Sequence, residues 1–129
     1  MRKTTIKETI YGGGLHIVVC PEQKFIDFFN KKYREDDEVE GNLGQLFRSD
    51  KADKIYQKGL HTYLWMEKFD KNKQNDIDTL FHELEHYIIQ ELDRRQIRIH
   101  YENNEVWDEP AAYFAGHIFA KVYKIIDKI

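Results

Sequence analysis

Five consecutive residues, His82-Glu83-Leu84-Glu85-His86, carry the clearest chemistry in this chain. On an α-helix, residues four apart lie one turn above each other on the same face. Both imidazoles then reach one ion from one side. Glu83 follows the first histidine and stands next to that face. This is the spacing of a zinc site whose glutamate handles a water molecule. Two histidines alone hold zinc poorly, and a catalytic site has three protein ligands and one position left for water. Candidates for the third ligand are His100, Glu102, Glu105, Asp108, Glu109 and His117. Glu109 is the expected one. It starts a helix just before Pro110, and Ala112 and Gly116 keep the same face slim for packing against the metal helix. Asp108 and Glu105 are the alternatives. The opposing interpretation is a pair of helical surface histidines, with Glu83 and Glu85 as solvated charges.

Such a pair needs a helix to carry it and a sheet to hold the helix. Asp76–Arg95 supplies the helical pattern, with Ile77, Leu80, Phe81, Leu84, Tyr87, Ile88 and Leu92 on a broad apolar face. Asn75 or Asp76 is expected to cap it. A last helix starts near Asp108, where Pro110 suits the first turn. Its alanines and Gly116 are expected to let it approach the metal helix closely. Upstream, Thr4–Tyr11 and Leu15–Cys20 are β-prone runs around three glycines, which predicts a hairpin. Glu22–Arg34 places Phe25, Ile26, Phe28, Phe29 and Tyr33 at helical spacing, as a core-facing stripe. Leu43–Arg48 and Lys54–Gln57 are short and ambiguous. Leu60–Glu67 is apolar or aromatic at both alternating sets, so this strand is expected to be covered on both faces. His61, near its start, is a weaker candidate for lining the site. Together these elements predict a single α+β domain over residues 1–129: an antiparallel or mixed sheet of about three to five strands, packed with the metal helix, a C-terminal helix and a helix from the N-terminal half.

Bulk properties narrow the function. A net charge of −3 gives no general pull toward nucleic acid or anionic membrane. No run approaches a membrane span, and the N-terminus lacks an apolar secretion core, so a cytoplasmic protein is expected. Cys20 is the only cysteine, which excludes an intramolecular disulfide and a thiolate metal cluster. The acidic loop Glu35–Glu40 lacks the spacing of a calcium-binding EF-hand loop.

Thr79-Leu80-Phe81-His82-Glu83-Leu84-Glu85-His86-Tyr87-Ile88, followed by Glu109 on a later helix, resembles the zincin metallopeptidases, and among them the glutamate-zincins. Two features depart from that pattern: the charge at Glu85 and the 22 residues between His86 and Glu109, a slightly long gap. Asp108-Glu109-Pro110-Ala111-Ala112-Tyr113 also looks like the small single-domain metallopeptidases of phages and mobile elements. The resemblance implies one zinc ion on His82, His86 and Glu109, a peptide or protein substrate, and Glu83 as the base that activates water. Tyr113 or His117 would then stabilise the oxyanion. The Leu60–Glu67 strand, if it lies at the sheet edge, would align an extended peptide. The competing class is a non-catalytic protein in which zinc staples the helices together.

Overall fold

In the computed structural model, the described residues are 1–10, 13–40, 43–48, 62–97, 99–102 and 105–129; at 100–102 and 105–107 only the backbone is described. His61 and Lys54–Gln57 lie outside the described residues.

Strands β1 (Arg2–Lys7) and β2 (Gly14–Val19) pair antiparallel, with Lys7 opposite Gly14. Glu8 ties the connection between them. Its amide donates to the Gly13 carbonyl at 2.9 Å, and its carboxylate accepts from the amides of Ile10 and Gly13. Two further strands, β3 (Gly44–Arg48) and β4 (Thr62–Met66), complete a sheet in the order β1-β2-β4-β3. β4 runs parallel to β2 and antiparallel to β3, so the sheet is mixed. The fold is the expected small α+β domain.

Among the described residues, three helices cover the two faces of this sheet. Helix α1 (Glu22–Tyr33) buries Phe25, Phe29 and Tyr33 against Val18, Phe47, Tyr63 and Trp65. The aromatic stripe is therefore core. Arg34, in the left-handed region at φ 54°, ends the helix. Helix α2 (Gln74–Arg94) and helix α3 (Glu109–Ile125) pack on the other face, where Leu80, Leu84, Tyr87, Phe114, Ile118 and Val122 meet Leu15, Ile17, Leu64 and Met66. Between α2 and α3 the backbone forms a short hairpin, β5 (His100–Glu102) with β6 (Glu105–Trp107). Phe81 of α2 packs on Phe119 of α3, and Lys71, just before α2, pairs with Asp127, just after α3. The two helices are thus antiparallel. No helix among the described residues is long and apolar enough to cross a membrane.

Every residue of β4 is buried, as its two apolar sets require. Its position differs from the expectation of a peptide-aligning edge: β4 is interior, between β2 and β3, and β3 is the outermost strand on that side among the described residues. β4 has covers on both faces and partners on both sides. The start of α2 also differs. Lys73 is the N-cap residue and makes no side-chain cap bond. Asp76 is buried, and its carboxylate accepts the Asp70 amide at 2.9 Å, so it braces the preceding turn rather than capping the helix.

Candidate metal centre

Helix α2 separates the three donors of the motif. Its apolar stripe turns Leu80, Leu84, Tyr87 and Ile88 into the core, which leaves His82 and His86 exposed on one side. Their Nε2 atoms stand 3.2 Å apart, with ring planes at 85°. Tetrahedral zinc with bonds of about 2.0–2.1 Å would set two ligand nitrogens about 3.3 Å apart. The pair already has the bite of a chelate. In the metal-free protein the same separation suits one N–H···N bond, the donor ring being set by the tautomers. The donor set fits zinc: two imidazoles with a carboxylate beside them and no thiolate.

Glu83 lies in a different environment. Its side chain is 8% exposed, against 69% for His82, and its Oε1 lies 3.9 Å from His82 Nε2. The donor atoms of His82, Glu83 and His86 all fall within 4.8 Å of one another. Glu83 is buried because β3 passes over this turn of α2. A cleft of about 380 Å³ opens there, lined by Leu43, Gly44, Asp78, Thr79, His82 and Glu83. A buried carboxylate therefore borders a cleft, with two exposed imidazoles on the same helix.

The pairing of β3 decides what it offers to that cleft. The Leu43 carbonyl accepts the Glu67 amide at 3.0 Å. In an antiparallel ladder successive residues turn their N–H and C=O groups to opposite sides. Gln45 and Phe47 therefore face β4 with their backbone groups, and Gly44, Leu46 and Arg48 turn theirs to the outer side. Among the described residues no strand pairs with β3 on that outer side.

The remaining expected site residues stand apart from this group. Glu109 is exposed in the first turn of α3, and Asp108 is half-buried before it. Neither belongs to the three-donor group. Ala112 and Gly116 do not lie between α3 and α2 as expected. Both are exposed, and a Cβ on Gly116 would meet nothing within 4 Å. The reason is the phase of the helix: α3 buries Ala111, Phe114, Ile118 and Val122, which turns the 109-112-116 stripe to solvent. Counted from the Phe81–Phe119 contact, the residues level with His86 are Tyr113 and Phe114, and Glu109 lies about 7 Å further along the axis. Tyr113 is exposed on α3. His117 instead faces Glu8, with Nε2 4.0 Å from Oε1. It lines a cleft with Ile6 of β1, at the opposite edge of the sheet from β3. The side chains of His100, Glu102 and Glu105 lie outside the description.

Leu43, Gly44, Asp78 and Thr79 line the cleft although none of them was a candidate site residue from the sequence. Thr79 carried a signal, since it lies one turn before Glu83 on the same face. Leu43 and Gly44 carried none, because their approach to α2 is set by strand pairing far along the chain. No protein-family model, curated protein or solved structure matches the chain.

Proposed function

We propose that this chain is a small zinc-dependent hydrolase, a metallopeptidase acting on extended peptide, located in the cytoplasm. One observation carries the reading: two histidine nitrogens at chelating separation beside a buried glutamate, at a cleft bordered by the outer strand of the sheet. His82 and His86 would hold one zinc ion. When bound, zinc supplies a Lewis acid that polarises a carbonyl and makes water nucleophilic near neutral pH. Glu83 accepts the proton of the attacking water and returns it to the leaving nitrogen. Its burial suits that task, because a carboxylate held by packing keeps one orientation. The outward N–H and C=O groups of Gly44 and Leu46 suit the pairing of an extended peptide beside Glu83. β3 takes the aligning role expected of the following strand.

The third ligand remains the one expected from the sequence, Glu109 first with Asp108 and Glu105 as alternatives, although neither Glu109 nor Asp108 joins the group of His82, Glu83 and His86 in this structure. Tyr113, level with His86, is the better placed of the two oxyanion candidates, because His117 is turned toward Glu8. Exposure of both histidines favours an open catalytic site over a closed zinc staple.

The test is zinc analysis on protein purified without metal-affinity resin, paired with cleavage of a broad peptide library. Wild type is expected to carry one zinc and to cleave. Glu83→Gln is expected to keep the zinc and to lose about 10²- to 10⁴-fold in rate. Equal cleavage by Glu83→Gln, or an absence of zinc from the wild type, refutes the reading. Zinc titration of Glu109→Gln, Asp108→Asn and Glu105→Gln separates the three candidate ligands.

A further inference from the structure

The outer strand is seated on the metal helix at three successive inward-facing positions. Gly44, Leu46 and Arg48 all point toward α2, while Phe47 points into the α1 core. Arg48 Nη2 donates to Glu91 Oε1 at 2.6 Å. Leu46 packs on the core beneath α2. At Gly44 there is no side chain and no room for one. A Cβ there would stand 2.7 Å from Thr79 Cγ2, 3.3 Å from the Trp65 carbonyl oxygen and 3.4 Å from Glu83 Cγ. Gly44 has no left-handed φ, so a glycine is needed for space and not for conformation. Thr79 cannot turn its methyl away without cost, because its hydroxyl donates to the Asn75 carbonyl at 2.9 Å.

The two anchors match in length. From Gly44 to Arg48 a strand advances about 13 Å. From Glu83 to Glu91 a helix advances about 12 Å. The strand therefore lies along the helix with a steric slot at Glu83 and an ion pair two turns on.

We propose that Gly44 is a positioning residue. The slot it forms with Thr79, locked in register by Arg48–Glu91, sets the height of the outer strand above Glu83. A peptide paired to Gly44 and Leu46 would then present its carbonyl at a fixed distance from that carboxylate. This rests on the proposed hydrolase function for its consequence in catalysis, but the seating itself is made by side chains and backbone of this chain alone. Gly44→Ala lifts the strand off Thr79 and Glu83. Thr79→Ser removes the clashing methyl and keeps the hydroxyl bond, so it restores the seat. Thr79→Val keeps a methyl at the clash and does not.

The experiment uses the full chain in two parts. Urea unfolding of the metal-free protein compares Gly44→Ala alone and combined with Thr79→Ser or Thr79→Val. The expected result is a lowered midpoint for Gly44→Ala, recovered with Thr79→Ser and not with Thr79→Val. If Gly44→Ala alone does not fold, the two double variants still give the comparison. Peptide cleavage by the zinc-loaded forms then separates kcat from KM. Gly44→Ala should lose about 10- to 100-fold in kcat at unchanged zinc stoichiometry, with a smaller change in KM, and Thr79→Ser should restore kcat. Equal midpoints for the two double variants overturn the proposal, and so does an unaltered kcat in Gly44→Ala. A wild type that binds no zinc and cleaves nothing overturns the hydrolase and the catalytic consequence, whereas the seating is then judged by the unfolding comparison alone.

Discussion

Adjacent residues on one turn of α2 have opposite surroundings, and that contrast sorts their roles. His82 and His86 are exposed and near enough to chelate; Glu83 is buried beside them. Replacing either histidine by alanine leaves a single imidazole and breaks the chelate. Zinc affinity is expected to fall by more than the roughly 10- to 100-fold that outer-sphere substitutions cost. Competition with a chromophoric chelator reads this directly, and wild-type affinity in either variant would contradict the site. The same scale gives a prediction away from the metal. Cys20 is buried at the end of β2, and burial pushes its thiol pKa up from the ordinary value. Its reactive thiolate is thus scarce as well as shielded. A thiol-specific chromogenic reagent should label it slowly in the folded protein and fast in denaturant. Fast labelling of the folded protein at pH 7 would show that the strand end opens.

Elements were legible in proportion to how far their own residues determine them. The three helices follow from apolar residues at helical spacing, and β4 follows from a run that is apolar on both faces. β3 was ambiguous for a physical reason. Its inward positions are Gly44, Leu46 and Arg48, so a slot and an ion pair stand where alternation would call for apolar side chains. Edge position was not legible either, since the order β1-β2-β4-β3 is set by long-range pairing. Within the site, the two histidines and Glu83 could be read locally, whereas a third ligand depends on the helical phase of α3 and the loop before it. The Arg48–Glu91 pair makes the element-scale prediction. Glu91 is 1% exposed at its side chain and Arg48 17%. Removing Arg48 leaves a buried carboxylate with Arg94 and Arg95 at 3.9 and 3.8 Å as longer partners. Arg48→Met is expected to cost about 1–3 kcal/mol in urea unfolding, below the full cost of stripping a buried ion pair because those two arginines compensate in part. A change within the error of the measurement would mean that the strand is held without the ion pair, by the ladder, Leu46 and the seat at Gly44.

For the molecule as a whole, β4 is the shared wall between two cores, and its alternation sends Leu64 to the α2 side and Tyr63 to the α1 side. Tyr63 meets Tyr33 of α1, hydroxyl to hydroxyl at 3.0 Å, and its oxygen also accepts from Lys32 Nζ at 3.1 Å. Burial first, and then the Tyr63 hydroxyl, raise the Tyr33 phenol pKa well above its ordinary value. A group whose folded pKa is raised contributes stability that is whole below its unfolded pKa. That contribution shrinks once the unfolded chain begins to ionise, near pH 10 for tyrosine. Stability should therefore hold from neutral pH to about pH 9.5 on this account and fall above it. Tyr33→Phe removes the ionisable group. It should cost about 1 kcal/mol at pH 8 through the lost hydroxyl pair, yet show a shallower decline toward pH 11. Urea midpoints of both proteins across that range decide the matter: converging curves support the buried phenol as the source of alkaline sensitivity, and parallel curves place that source elsewhere in the fold. Because both cores share β4, loss of the α1 side should also loosen the strand that β3 pairs with, and with it the edge above Glu83.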